Sequence, residues 1–415
     1  MTLIKTSFLN AISVVIKMLT MLGINKILAV YVGPSGYALI GQLQNAVAML
    51  LTFSSGAINT GVTKYTAQYS EFEDKQHSVW RASFRITLIS VLIISFFIFI
   101  FSDFLSVYFL KNIEYSIVFT CFSFTLVFFA LNAQVLAILN GKKEIYAYVQ
   151  VNIIGSLVSL VVTVSLAFLY GLKGALIALV INQSVVFFVS VFIASKFDWF
   201  KAFNFSGVFD KKIALNLLKY ALMGLTGAIV VPLSHIFIRT HIGEQFGWES
   251  AGYWDAIWRI STIYLMFITS VLSVYFLPRF SEIKIKKELR AELLKGYSLI
   301  IPTVLFLSLC IYLARDYIVV LLFSNDFLAM RNLFLWQLVG DVFKVISWLL
   351  GYILLAKAMV KLVIFSELLF ALSFYLFTVF FTSYFGLEGV TYAYCLNYFC
   401  HLGFMFFSLK RLRVL

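Results

Sequence analysis

Apolar residues run through this chain in stretches of about twenty, separated by short clusters of Lys, Arg, Asp, Glu, Gly and Ser, from one end to the other. A helix of about 20 apolar residues crosses a hydrocarbon core of about 30 Å. The pattern predicts twelve such segments, at 8–32, 37–60, 83–102, 116–140, 147–170, 174–195, 216–239, 253–277, 297–314, 333–356, 362–384 and 389–409. The strict alternation of a barrel strand is absent, so the expected fold is an all-α polytopic membrane bundle.

Composition agrees. Of 415 residues, 62% are hydrophobic and 12% charged, more apolar surface than a soluble domain of this length could cover. The first segment is too long for a signal-peptide core and lacks a small-residue cleavage site, so it is expected to stay as an anchor.

A net charge of +13 would suit nucleic acid, but its distribution argues against that partner. On the twelve-segment layout both termini share one side, and 23 of the 32 Lys and Arg fall there. Five lie on the other side (Lys111, Lys173, Arg239, Arg315, Arg331) and four within segments (Lys17, Lys26, Arg259, Lys344). The positive-inside rule then predicts both termini in the cytoplasm.

The sequence also repeats. Gly171-Leu172-Lys173-Gly174 opens the sixth segment and Gly386-Leu387-Glu388-Gly389 the twelfth, an offset of 215 that also relates Asn182 to Asn397, Lys64 to Arg279 and Lys142 to Lys357. The expected organisation is two parallel, pseudo-twofold-related six-helix lobes, 1–200 and 201–415, joined by the basic loop from Lys196 to Lys219. Parallel repeats are a transporter architecture, with substrate near the midplane between lobes. In the loop after the second segment, Tyr65, Tyr69 and Phe72 fit either an interfacial amphipathic helix or a packed stripe.

Charges at membrane depth cost roughly 2.5–3.5 kcal/mol each and face a bundle interior or a wet cavity. In the tenth segment Gln337, Asp341, Lys344 and Trp348 share one helical face. Asp341 and Lys344 either form an ion pair closed within the helix or serve cargo and coupling. Glu367 either pairs with Lys344 or titrates alone. Asn10, Ser13, Lys17 and Thr20 form a polar stripe; Lys26 joins the same cavity only if the helix bends, at Gly23 for instance, and otherwise snorkels. Arg259 either makes a surface pair with Asp255 or binds phosphate bidentately. Pro232 marks a static kink or a hinge. His235 and His401 read as packing residues before proton relays, and Asn182 and Asn397 as interhelical hydrogen-bonders. By the 215 offset Asp341, Lys344, Glu367 and Arg259 correspond to Leu126, Phe129, Asn152 and Gln44, so the repeat is built once without these charges.

No phosphate-binding loop, nucleophile elbow or zinc motif occurs, and Cys121, Cys310, Cys395 and Cys400 lack metal-ligand spacing. The expectation is a protein that is not an enzyme and uses no metal or cofactor.

Three stretches carry a family resemblance: GVTKYTAQYS from Gly61 to Ser70, NKILAVYVGPSGY from Asn25 to Tyr37, and FSNDFLAMRNLFLWQLVGDVFKVI from Phe323 to Ile346. With them, essentially the whole chain resembles the Wzx family of lipid-linked oligosaccharide flippases, in the superfamily of MATE, polysaccharide transporters and MurJ. The resemblance implies transfer of an undecaprenyl-diphosphate-linked unit across the bacterial inner membrane, an O-antigen repeat unit first and lipid III of enterobacterial common antigen as the alternative. It implies Lys17, Lys26 and Lys344 as cations for the diphosphate, with Asp341 and Glu367 for coupling or for holding Lys344. Arg259 departs from the short polar residue expected in near relatives and suits recognition of a particular sugar. The implied partners are membrane lipids and the polymerase and chain-length regulator of the same pathway. Two other functions suit the sequence less well. A multidrug or organic-cation antiporter would want a net acidic cavity, and an O-antigen polymerase a larger outer-face loop than the one from Arg315 to Asn332.

Overall fold

The computed structural model describes residues 3–55, 57–357 and 359–412, and the side chains of Asn10 and Lys219 lie outside that description. The described residues are helical almost throughout and hold no strand. The α-helices are α1 (Leu3–Ser54), α2 (Asn59–Gln68), α3 (Glu73–Ile100), α4 (Ser102–Leu110), α5 (Ser116–Gly141), α6 (Ile145–Ala194), α7 (Ala202–Phe205) and α8 (Lys211–Phe246). They continue as α9 (Trp248–Val271), α10 (Leu277–Glu282), α11 (Lys286–Leu313), α12 (Arg315–Leu322), α13 (Phe334–Ala356), α14 (Val360–Phe385) and α15 (Gly389–Arg411).

Among the described residues, seven segments are long and apolar enough to cross a membrane. Three of them, Ile12–Ser54, Ile145–Ala194 and Val360–Arg411, run 43, 50 and 52 residues. Each exceeds twice the crossing length of about 20 residues, and each is interrupted by a glycine with positive φ: Gly33, Gly171 and Gly386. Expected segments 216–239 and 253–277 fall in α8 and α9, which are not among the seven.

Two compact units divide the chain: Met1–Val32 with Leu39–Pro232, and Gly33–Ala38 with Leu233–Leu415. The division falls at Pro232, inside the continuous helix α8. In the first unit α5 packs on α6 and α3. At one end α2 docks through Val62 and Thr66, where Thr66 holds the Trp80 indole at 3.0 Å and its carbonyl accepts from Gln76 at 2.6 Å. Tyr65 and Tyr69 stack at 6.0 Å and pack partly against this cluster, while Phe72 is exposed, so most of that stripe is packed. In the second unit α13 is central, flanked by α15, α11 and α10.

The repeat is visible in backbone detail. Gly171 has φ 56°, ψ −135° and Gly386 φ 61°, ψ −147°, a region essentially restricted to glycine. Three residues on, a Cβ at Gly174 would stand 1.9 Å from the Leu166 carbonyl oxygen and one at Gly389 2.4 Å from that of Phe381. Lys142 and Lys357 each follow a helix of the pair α5 and α13, reaching Gln76 Oε1 at 3.2 Å and the Ile283 carbonyl at 2.5 Å. The offset is not uniform: Gly33, inside α1, and Gly247, between α8 and α9, are positive-φ breaks 214 apart. That shift leaves Arg259 opposite either Gln44 or Asn45.

Candidate functional site

In the first unit the polar stripe of α1 meets α6 around a cavity of about 430 Å³. Lys17 and Thr20 line it from α1, with Gln44 further along. Asn152, Ser156 and Ser159, spaced i, i+4, i+7 on α6, supply the opposite wall, and Asn182 and Gln183 return from beyond the Gly171 break. Gly155 makes this meeting close, since a Cβ there would lie 2.8 Å from Val186. The wall is pre-set by hydrogen bonds: Ser156 to the Asn152 carbonyl at 2.7 Å, Asn182 Nδ2 to Thr163 at 3.0 Å, and Asn132 Nδ2 to Gln183 Oε1 at 2.9 Å. Lys26 does not line this cavity, and α1 departs from helical geometry at Gly33 rather than Gly23. The bend required to bring Lys26 beside Lys17 is therefore missing. A second, more open cavity of about 560 Å³ lies at the α2 and α5 ends, lined by Asn59, Thr63, Lys64, Asn140 and Tyr148.

In the second unit α13 turns Gln337, Asp341 and Lys344 inward together. Asp341 is fully buried and accepts three hydroxyl hydrogen bonds, from Ser261 at 2.6 Å, Tyr264 at 2.8 Å and Tyr394 at 2.6 Å. Bonds to a charged group contribute about 1.5–3 kcal/mol each, which offsets much of the desolvation. Among the described residues no hydrogen bond or ion pair joins Asp341 directly to Lys344. The Lys344 ammonium instead lies 4.6 Å from the Trp258 ring centroid, 5.0 Å from Trp348, 5.1 Å from Tyr398 and 5.4 Å from Tyr394. Ring quadrupoles attract a cation, by about 2 kcal/mol when water is excluded. Tyr394 serves both groups, its hydroxyl donating to Asp341 and its ring facing Lys344, so the two charges share one shell without a direct bond.

Arg259 and Asp255 do not form a surface pair. Asp255 is buried between Arg239 and Arg259, bonding the first closely and the second at 3.2 Å, and the Arg259 guanidinium stacks 4.5 Å from the Tyr37 ring centroid. Arg239, counted with the outer-side charges as the last residue of segment 216–239, is 2% exposed within α8. Glu367 is half-buried on α14, apart from the rings that enclose Lys344. His235 packs edge-on at 4.2 Å from Trp258, and His401 hydrogen-bonds Ser347 at 2.9 Å while packing on Phe370. Asn182 and Asn397 both bond the preceding helix, as expected; Asn397 Oδ1 accepts from Ser373 at 2.6 Å. The four cysteines are free, and no group of His, Cys, Asp and Glu among the described residues is arranged to hold a metal.

Sequence inspection picked out Asp341, Lys344 and Lys17 but not Ser261, Tyr264, Tyr394, Ser156 or Gln183. Hydroxyls and amides in an apolar helix have no charge to flag them. The only available signal was the offset, which places Gln183 at the position of Tyr398.

Helices of this length around buried charge define a multi-pass membrane protein with a transporter fold. That fold is shared with the inward-facing conformation of a multidrug resistance MATE family transporter (TM-score 0.81, 16% identity, 96% of this chain and 94% of that one). It is shared too with the lipid II flippase MurJ in an inward closed conformation (TM-score 0.72, 15% identity, 98% and 87%). The chain belongs to the polysaccharide biosynthesis protein family, whose model matches residues 3–284. The lipid III flippase of Escherichia coli (strain K12) is 31% identical over 368 residues, 88% of each chain, and that of Shigella flexneri matches equally.

Proposed function

We propose that this chain is a flippase that carries an undecaprenyl-diphosphate-linked oligosaccharide from the cytoplasmic to the periplasmic leaflet of the bacterial inner membrane. The observation that carries this is a cavity in which Lys17 and a row of amide and hydroxyl side chains stand among apolar ones, in a chain of the polysaccharide biosynthesis family. An anionic diphosphate requires a cation in a hydrated site, which Lys17 provides, while the polyprenyl tail stays in lipid. Arg259 and Lys344 are proposed cations of the second unit, each held there by its own partners, and Asp341 and Glu367 are the proposed coupling or charge-balancing acids. Movement is by alternating access of two lobes, 1–200 and 201–415, with both termini cytoplasmic. The polymerase and chain-length regulator of the same assembly line are the proposed partners.

Two cargoes fit, an O-antigen repeat unit and lipid III, and the 31% identity to lipid III flippases is compatible with both. Expression in strains lacking either the O-antigen or the lipid III flippase tests both. The surface glycan that returns identifies the cargo. Failure in both strains, with the protein verified in the membrane, overturns the assignment.

A further inference from the structure

Two tips at equivalent places in the repeat carry opposite charge. Phe72 immediately precedes α3 and Ile285 immediately precedes α11, 213 residues apart, and both helices are long and apolar enough to cross a membrane. Both side chains are exposed, Phe72 at 55% and Ile285 at 58%, so each tip offers an apolar group at the polar end of a crossing helix. Around Phe72 stand Glu71, Glu73 and Asp74, all exposed, with one cation, Lys75, whose ammonium lies 4.6 Å from the Phe72 ring centroid. Around Ile285 stand Lys284, Lys286 and Lys287, with Arg290 one turn further along α11, all exposed.

Acids near the second tip are engaged within the fold. Arg279 pairs with Glu282 at 3.7 Å and with Glu292 at 3.8 Å, and Glu292 also accepts from the Tyr275 hydroxyl at 2.9 Å. Exposed Glu288 remains as countercharge. Among the described residues Lys284, Lys286, Lys287 and Arg290 make no ion pair. Lys357 donates to the Ile283 carbonyl at 2.5 Å and so fixes the turn that presents them. One face of α11 buries Leu289, Leu293, Gly296 and Ile300. The opposite face passes from Lys287 and Arg290 to the exposed Leu294, at i, i+3 and i+7. Cations followed by apolar groups match the order of phosphates and acyl chains through a leaflet.

We infer that the second unit's tip is a docking surface for anionic phospholipid, with Ile285 among the acyl chains and Lys284, Lys286 and Lys287 on lipid phosphates, and that the first unit's tip is not. Each lysine beside an anionic surface favours charged lipid about fivefold, whereas the acids around Phe72 repel it. Membrane charge therefore acts on one tip of the repeat and spares the other, whatever the cargo.

The test is the lipid found at each tip. A photo-crosslinking benzophenone amino acid replaces Ile285 or Phe72 in the full chain, reconstituted in nanodiscs of phosphatidylcholine and phosphatidylglycerol in equal parts, and lipid adducts are counted by mass spectrometry. At position 285 phosphatidylglycerol adducts should exceed phosphatidylcholine adducts at least about fivefold, the worth of one lysine contact. At position 72 they should not exceed them. The excess should vanish in the combined variant Lys284→Gln, Lys286→Gln and Lys287→Gln, and in the unsubstituted-lysine protein at about 1 M salt, where charges are screened beyond about 3 Å. Equal adducts at position 285, an equal excess at both positions, or an excess that survives high salt would each overturn the inference. So would adducts at position 285 in native membranes that go to a protein and not to lipid, which would assign the tip to an acidic protein partner. Transport measured on the same preparations stands or falls separately, since the inference needs no cargo.

Discussion

Where the first unit holds a cavity, the second holds packed aromatic rings, and the exchange occurs at equivalent positions. Gly155, Ser159, Leu179 and Gln183 line the cavity; 215 residues later stand Phe370, Phe374, Tyr394 and Tyr398. Phe374 packs on Tyr394 at 5.7 Å and on Trp258 at 6.3 Å, and Tyr394 packs on Tyr398 at 4.9 Å. In that ring cluster Lys344 occupies the position of Phe129. One backbone plan therefore yields either an open space of mixed polar and apolar lining or a closed nest for a charge, depending on side-chain volume at a few sites. The comparison separates what the fold needs from what each unit adds.

The sharpest way to break it is to put the first unit's residues into the second. Asp341→Ala alone strands Lys344 and three hydroxyl donors, and removing one member of a buried charged assembly costs about 3–5 kcal/mol. The double change Asp341→Leu with Lys344→Phe restores an apolar pair like Leu126 and Phe129. It should recover the part of that loss that comes from the stranded ammonium, though not the part from the three hydroxyls, in thermal unfolding of the purified protein, yet export no glycan. A double variant no more stable than the single one would make the pair a requirement of the fold. Normal export would deny it a part in transport.

The reverse exchange comes next. Gln183→Tyr with Ser159→Phe should fill the first unit's cavity, at a cost of about 1–3 kcal/mol for overpacking. Transport in proteoliposomes should fall at least about tenfold, the equivalent of 1.4 kcal/mol of lost cargo binding. Unchanged transport in a folded variant would show that cargo does not enter there.

A smaller, symmetric effect checks the backbone plan itself. Gly171→Ala and Gly386→Ala place a Cβ in a conformation that costs about 1–3 kcal/mol. Nothing crowds either site within 4 Å, so the two losses should match. Unequal losses would mean that the repeated turns are held by different local forces.

The helical membrane class, the repeat and the burial of Asp341 and Lys344 were legible because they rest on hydropathy, on the glycine pairs and on the cost of charge in lipid. The partners of those charges were not. Asp341 is held by hydroxyls from α9 and α15, 53 to 80 residues away in sequence, and only the tertiary packing brings them together. The surroundings of Arg239, the last residue of expected segment 216–239, were hidden for the same reason: Asp255 and the Trp254 ring, 5.5 Å from the guanidinium, make its burial tolerable. The cavity was the least legible feature, because it is defined by the small volume of Gly155 and Ser159, and small residues leave no mark in a hydropathy profile.

The last contrast is between two asparagines at one repeated position. Asn397 has its oxygen satisfied by Ser373, so Asn397→Leu should lower stability by about 0.5–1.5 kcal/mol, the net worth of a hydrogen bond. The loss stays near the low end because the Ser373 hydroxyl can still donate to the Phe370 carbonyl, 3.3 Å away. Asn182 lies at the cavity wall with its oxygen unsatisfied. Asn182→Leu removes the amide donor to Thr163 but no bond to the oxygen, so its stability loss should be no larger than that at Asn397. It should also lower transport by a few-fold, because Asn182 lines the cavity. The diagnostic is the transport loss, which Asn397→Leu should not share. A stability loss at Asn182 as large as that at Asn397, with transport intact, would make both asparagines plain helix-to-helix links and the two units alike in this respect.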